Sequence, residues 1–255
     1  MRTAIKLVCI IPALLLYALF ALVIMALPAG GRLRRQFLAR NTSFASKVVL
    51  AALGVRVHAK YRDRLRDSRK GRLIVANHVT YLDILVISSL VPSIFITSVE
   101  LGGLALLGTL ARLGGSMFVE RRKRGGLKQE IEVITACLNG GATVVLFPEG
   151  TTSNGEQVHS FKVSLFDAAI RSGADVLPVC IRYTRVDGGP LTHENRDSVF
   201  YYGGMTFGGH VPRLIALRSI EVEVLPQKLI HAHHTSDRKE IAREAHEEIS
   251  GAYGG

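Results

Sequence analysis

The 255-residue chain predicts an α/β fold. A central, mostly buried sheet is wrapped by helices, with an N-terminal membrane-associated helical segment in front of it. Three observations predict this. From about Val55 onward, short apolar runs alternate with longer stretches of helical periodicity. Some of the runs, such as Thr143-Val144-Val145-Leu146-Phe147, are apolar throughout, as strands covered on both faces are. Residues 7–27 contain no charged side chain.

At roughly 1.5 Å per residue, residues 7–27 reach about 30 Å, the thickness of a hydrocarbon core. A secretory signal is the alternative, but its apolar part is usually only about 7–15 residues long. Pro28 also sits awkwardly for cleavage among the small residues Ala26 to Gly31. The length favours a retained anchor. Arg2 and Lys6 precede the segment, and Arg32, Arg34, Arg35 and Arg40 follow it. This excess puts the downstream domain on the cytoplasmic side of the inner membrane. A second apolar stretch, 48–55 with Phe44 and Ala45, reads as a short helix lying in the interface. A full span and a two-helix anchor dipping into one leaflet both fit. The expected organisation is a membrane anchor over 1–54 and a catalytic domain over 55–255.

Within that domain the expected strands are 56–61, 72–76, 93–98, 116–120, 142–147, 175–183 and 219–225. The expected helices are 81–90, 104–113, 126–139, 162–172 and 236–249. Leu127, Ile131, Ile134 and Leu138 give the third helix one buried face, and Asn139-Gly140-Gly141 stops it. Residues 188–212 are rich in Gly and aromatics and read as loop. Residues 253–255 read as a frayed tail.

The net charge of +11 admits nucleic acid, anionic lipid or phosphorylated substrates as partners. No nucleic-acid motif with interleaved aromatics is present, so nucleic acid is not expected. The three cysteines form no C-x-x-C pair, and neither a zinc site nor a disulfide framework is suggested. His231-Ala232-His233-His234 has the wrong spacing for a helical metal pair and reads as a solvated linker. Neither a metal nor a cofactor is implied.

Four segments are candidates for carrying chemistry. Asn77-His78-Val79-Thr80-Tyr81-Leu82-Asp83 follows an apolar strand, where α/β sheets place reactive groups. A histidine beside a carboxylate is a general base held in one tautomer. Positions i and i+5 of a regular helix stand about 140° apart, so the pair meets only if His78 precedes the helix and Asp83 lies in its first turn. Thr80 as N-cap gives that geometry. Thr80 to Asp83 also resembles a capping box, so Asp83 as a plain helix cap is the competing reading, and the two roles are compatible. Phe147-Pro148-Glu149-Gly150-Thr151-Thr152-Ser153 follows another apolar strand. Gly150 lets the backbone approach a ligand, Thr151 to Ser153 offer groups suited to phosphate oxygens, and Glu149 can accept from hydroxyls. A polar strand-end turn is the plain alternative. Phe118-Val119-Glu120-Arg121 ends on a cationic run, in which one arginine can fork onto a phosphate and the rest suit an anionic membrane surface, although a solvated charge run is the plain alternative and the favoured one for residues 122–124. Val176-Leu177-Pro178-Val179-Cys180-Ile181-Arg182-Tyr183 reads only as a buried strand with an edge or bulge proline.

In this order the four blocks resemble the glycerolipid acyltransferase family, which includes lysophosphatidate (1-acylglycerol-3-phosphate) acyltransferases. The match covers roughly residues 55–225, and the ordered set is far more specific than any block alone. The resemblance implies that His78 is the general base and Asp83 its orienting partner. It implies that Arg121 holds the acceptor's phosphate, that Glu149, Gly150 and Thr151 line the acceptor site, and that residues 176–179 shape the acyl-donor side. The activity implied is transfer of a fatty acyl group from acyl-CoA or acyl carrier protein to a lysolipid hydroxyl, first of all 1-acylglycerol-3-phosphate. Two departures bear on the acceptor. Ser98-Val99-Glu100 stands where family members often carry Lys two residues before Glu, which points to another cation such as Lys162. Tyr201-Tyr202-Gly203-Gly204-Met205-Thr206-Phe207 resembles a segment of bacterial members, some of which acylate lyso-ornithine lipid. Lyso-ornithine lipid is therefore the alternative acceptor. A thioesterase and a non-catalytic membrane-binding protein are the rivals of other classes.

Overall fold

The structure, a computed structural model, describes residues 2–66, 71–103, 105–119 and 127–254. Its elements in chain order are α1 (Arg2–Ala26), α2 (Gly31–Leu53), β1 (Val55–Ala59), α3 (Arg62–Arg66), β2 (Arg72–Ala76), α4 (Leu82–Leu90), β3 (Ile94–Ser98), α5 (Val99–Gly102), α6 (Ala105–Leu113) and β4 (Met117–Val119). There follow α7 (Leu127–Asn139), β5 (Thr143–Leu146), a 3₁₀ turn, α8 (Asp167–Ser172), β6 (Asp175–Val186), β7 (Gly189–Pro190), a second 3₁₀ turn, α9 (Phe207–Ala216), β8 (Ile220–Pro226) and α10 (Arg238–Tyr253).

The sheet order is β1-β8-β6-β2-β5-β3-β4, with the short β7 paired to β6. Strands β6, β2, β5, β3 and β4 run parallel, whereas β8 is antiparallel to β6 and parallel to β1. Alternation within a doubly covered strand explains the unbroken apolar runs. In β2, Ile74 and Ala76 join one core layer with α2 and α4, through Val49, Leu50, Leu53, Leu82 and Val86. Leu73 and Val75 join the opposite layer with α7, α8 and α10, through Ile134, Ala169 and Ile241. The α/β architecture with a covered central sheet is thus what the sequence predicted.

Several local expectations are corrected. The apolar stretch at 48–55 is the end of a 23-residue helix, α2, and Val55 already belongs to β1. Its inner face packs into the core, while Leu33, Phe37, Arg40, Phe44 and Lys47 point outward. Residues 207–212, read as loop, belong to α9, which is capped by the Thr206 side chain accepting from the N–H of Gly209. Tyr253, read as frayed, ends α10, and its hydroxyl donates to the carbonyl of Gly155 at 3.0 Å. Pro178 lies in a central strand, and is tolerated because pairing slips by one residue between Val176–Ile230 and Val179–Pro226.

Helix α1 is long and apolar enough to cross a membrane. It nevertheless packs one face against the protein along its length. Lys6 Nζ donates to the terminal carbonyls of Leu53 and Leu217 at 2.6 Å each, and the Tyr17 hydroxyl donates to the carbonyl of Leu110 at 2.9 Å. The other face exposes Val8, Ile11, Leu15, Leu19, Phe20 and Leu22.

Candidate active site

Strands β2 and β5 are parallel neighbours, so the segments leaving them emerge side by side at the C-terminal edge of the sheet. Asn77, directly after β2, is buried, and its side chain continues the ladder. Its amide donates to the carbonyl of Ile181 at 2.9 Å and its oxygen accepts the N–H of Ile181 at 2.8 Å. The backbone is thereby released from the sheet at His78 without leaving buried polar groups of β6 unpaired.

His78 precedes α4 and Asp83 lies in its first turn, so the two side chains meet. His78 Nδ1 is 2.8 Å from Asp83 Oδ2. The ring lies flat on Phe147, with centroids 4.0 Å apart and planes inclined by 13°. With Nδ1 turned to the carboxylate, Nε2 is the ring nitrogen able to take a proton. Asp83 is 0% exposed, and its oxygens are well occupied. Oδ2 also accepts the N–H groups of Val79 (2.8 Å) and Thr80 (3.0 Å), while Oδ1 accepts the Tyr183 hydroxyl at 2.8 Å. Asp83 is therefore both histidine partner and cap. Thr80 is not the cap expected: its hydroxyl has no hydrogen-bond partner among the described residues, and the carboxylate instead accepts the N–H of Thr80 itself.

The segment after β5 grips the same histidine from the other side. Glu149 Oε1 accepts the N–H of His78 at 2.6 Å, and the carbonyl of His78 accepts the N–H of Ser153 at 2.9 Å. Glu149 Oε2 accepts the N–H of His159 at 2.8 Å. The Glu149 carboxyl is turned inward rather than toward an acceptor. Burial pushes it up to about 7, while the N–H donors of His159 and His78 oppose that rise. Gly150 has φ +76°, and the Lys162 side chain lies across it where a Cβ would stand. The N–H of Lys162 donates to the carbonyl of Pro148 at 2.8 Å, fixing the lysine at this turn. Thr151 is exposed beside it. Arg121 lies outside the described residues. Val176, Leu177 and Val179 are buried in the centre of the sheet.

Sequence reading missed Tyr183 and the partner of Asn77. Both contacts come from β6, and the fourth block carried no chemical signal beyond its apolarity. It also missed a second cluster beside the pair. The Tyr81 hydroxyl is 2.9 Å from His210 Nδ1, and Tyr81 packs edge-on against Tyr201 and Phe207. The N–H of Tyr201 donates to the carbonyl of Val79, so the 201–210 segment borders the His78 loop.

Residues 54–182, half of the chain, match the model of the acyltransferase family. The chain belongs to the acyltransferase family. Among its relatives, the lyso-ornithine lipid O-acyltransferase of Rhizobium meliloti is 33% identical over 202 residues, which cover 76% of this acyltransferase and 68% of that protein. The same-named enzyme of Brucella abortus is 35% identical over 178 residues, covering 67% of each. The 1-acyl-sn-glycerol-3-phosphate acyltransferase of Neisseria gonorrhoeae is 38% identical over 113 residues, covering 44% of each chain. The crystal structure of the 1-acyl-sn-glycerophosphate (LPA) acyltransferase of Thermotoga maritima superposes with a TM-score of 0.69 over 100% of this chain and 97% of that one. At 20% identity that likeness shows the shared fold.

Proposed function

We infer that this acyltransferase moves a fatty acyl group from a thioester, on CoA or acyl carrier protein, to the free hydroxyl of a lysolipid. The observation that carries the reading is the 2.8 Å contact of His78 Nδ1 with the buried Asp83 carboxylate, at the C-terminal edge of a parallel sheet. His78 Nε2 takes the proton of the acceptor hydroxyl as that oxygen bonds to the thioester carbonyl carbon. The C–S bond then breaks and the thiolate leaves. A thiol has an ordinary pKa of about 8–9, so the leaving group needs little acid assistance. Asp83 stabilises the imidazolium. General-base assistance of this kind is typically worth about 10²–10⁴-fold.

Lyso-ornithine lipid is the acceptor we favour. It is supported by the Rhizobium and Brucella relatives, each aligned over two thirds or more of its own length, and by the resemblance at 201–207. Lysophosphatidate is the second reading, supported by the Neisseria relative. Lys162, held over Gly150, is a cation placed for either acceptor's anionic group, and Arg121 remains the proposed phosphate contact.

Residues 1–54 are proposed to seat the enzyme on the cytoplasmic face of the inner membrane. Because α1 is packed on one face, the reading we favour is a helical pair embedded in one leaflet. The outward stripe of α2 alternates Leu33, Phe37 and Phe44 with Arg40 and Lys47, which suits an anionic lipid interface.

The test is turnover of purified enzyme with labelled acyl-CoA and acyl carrier protein donors against lyso-ornithine lipid, lysophosphatidate and no acceptor. Acceptor-dependent product supports the reading. Free fatty acid released equally without acceptor identifies a thioesterase instead.

A further inference from the structure

Strand β6 runs from Asp175 to Val186, whereas its neighbour β2 ends at Ala76, opposite Val179. On that side β7 pairs Arg185 and Val186, and the stretch between β2 and β7 is met by two side chains of the His78 loop. Ile181 binds the Asn77 side chain through both its backbone groups, and Tyr183, two residues on and on the same face, reaches Asp83. Immediately after Tyr183 the pairing with β8 shifts register, between Tyr183 and Arg185. Such bulges re-aim side chains, and they are found next to reactive sites.

We propose that Tyr183 is a positioning residue of acyl transfer, whose hydroxyl holds the second oxygen of Asp83 and so sets how strongly that carboxylate supports protonation of His78. This rests on His78 being the base, as inferred above. The geometry leaves Asp83 with an acceptor site on each oxygen directed at a different task. Oδ2 serves the histidine and the two N–H groups of the loop, and among the described residues Oδ1 serves Tyr183. Tyr183 is buried, and its phenol is pushed well up by that burial and by the Asp83 charge, so it donates throughout the working pH range. A donor on Oδ1 draws charge away from Oδ2 and weakens its support of the imidazolium. Removing that donor makes the carboxylate more basic, so His78 holds its proton to higher pH.

The other titratable groups around the pair include Tyr81 just before α4, Glu149 after β5, Cys180 on β6 and Tyr253 on α10. Burial raises both Tyr81 and Tyr253, and it pushes Cys180 up to about 12. Glu149 alone of these four titrates near neutrality. It is common to every variant below, so differences between them do not arise from it.

The experiment compares wild type with Tyr183→Phe and with 3-fluorotyrosine placed at position 183. The readout is kcat/KM for acyl transfer from pH 5 to 9, with His78→Ala as control. Phe removes the donor, and the more acidic fluorotyrosine strengthens it without changing the fold. The acid limb should move up by about half a unit or more in Tyr183→Phe and down in the fluorotyrosine protein. Acceptor KM should stay within about twofold while kcat at pH 6.5 falls roughly three- to tenfold in Tyr183→Phe, because less of His78 is in its free-base form at that pH. Opposite shifts are not produced by a merely structural role. If both limbs coincide with wild type, or move in the same direction, Tyr183 does not set the basicity of His78. If Tyr183→Phe does not fold, the fluorotyrosine shift decides alone. An active His78→Ala enzyme would instead defeat the underlying assignment of the base.

Discussion

Glu149 Oε1 accepts the backbone N–H of His78 at 2.6 Å, joining two segments 71 residues apart. With Ser153 donating to the carbonyl of His78, the histidine's main chain is held on both sides by the turn that follows β5. The second block therefore supports the first mechanically, and the carboxylate within it does not face outward.

Glu149 makes stability depend on pH. Burial pushes its carboxyl up to about 7 from an ordinary 4.5, so folded protein keeps a proton that the unfolded chain has lost in that window. The stability tied to this group is complete below pH 4.5 and is lost as pH rises through about 7. Glu149→Gln removes this slope. Thermal denaturation should fall more steeply from pH 5 to 8 in wild type than in the variant. Whichever way the new amide turns, one of the N–H groups of His78 and His159 faces an NH₂, so kcat should fall about tenfold. Equal slopes would show that folded Glu149 is already ionised at pH 5.

Asn77→Ala leaves the N–H and the carbonyl of Ile181 without their side-chain partners in a buried setting. Each buried unsatisfied group costs roughly 1–3 kcal/mol. The variant should lose about 2–4 kcal/mol in denaturant unfolding. A loss below about 0.5 kcal/mol, the size of a surface substitution, would mean that water replaces the amide without penalty.

The contrast between what was legible and what was not follows the range of the interactions. The strand at 72–76 was readable to the residue, because a run buried on both faces leaves an apolar signature that does not depend on its neighbours. The meeting of His78 and Asp83 was readable because both lie within one loop and helix start, where spacing fixes geometry. Contacts of Asn77 with Ile181 and of Asp83 with Tyr183 span 104 and 100 residues, and nothing local encodes them. Helix α9 was hidden by Gly208, Gly209 and Pro212, residues of low helix propensity that a single Thr206 cap and packing against the core overcome. The length of α2 was hidden for another reason. Its outward stripe carries Leu33, Phe37 and Phe44 where a soluble helix would be polar, which blurs the amphipathic pattern.

That stripe gives a binding prediction. Near an anionic surface each basic residue is worth about 1 kcal/mol. Replacing Arg40 and Lys47 together by alanine should weaken association with anionic vesicles by roughly thirtyfold at low salt. The same change should matter little on neutral vesicles, where Phe37→Asp with Phe44→Asp should reduce binding instead. Vesicle co-sedimentation across a salt series reads both. Salt-independent binding in wild type would assign the attachment to apolar burial alone.

The most direct test of the central claim is acyl transfer to lyso-ornithine lipid and to lysophosphatidate by wild type and His78→Ala, with folding and vesicle binding measured in parallel. If His78 is the base, turnover falls about 10²–10⁴-fold with every acceptor used, in a variant that melts near wild type and still binds vesicles. Turnover by His78→Ala within about tenfold of wild type would contradict it, because a general base contributes more than that.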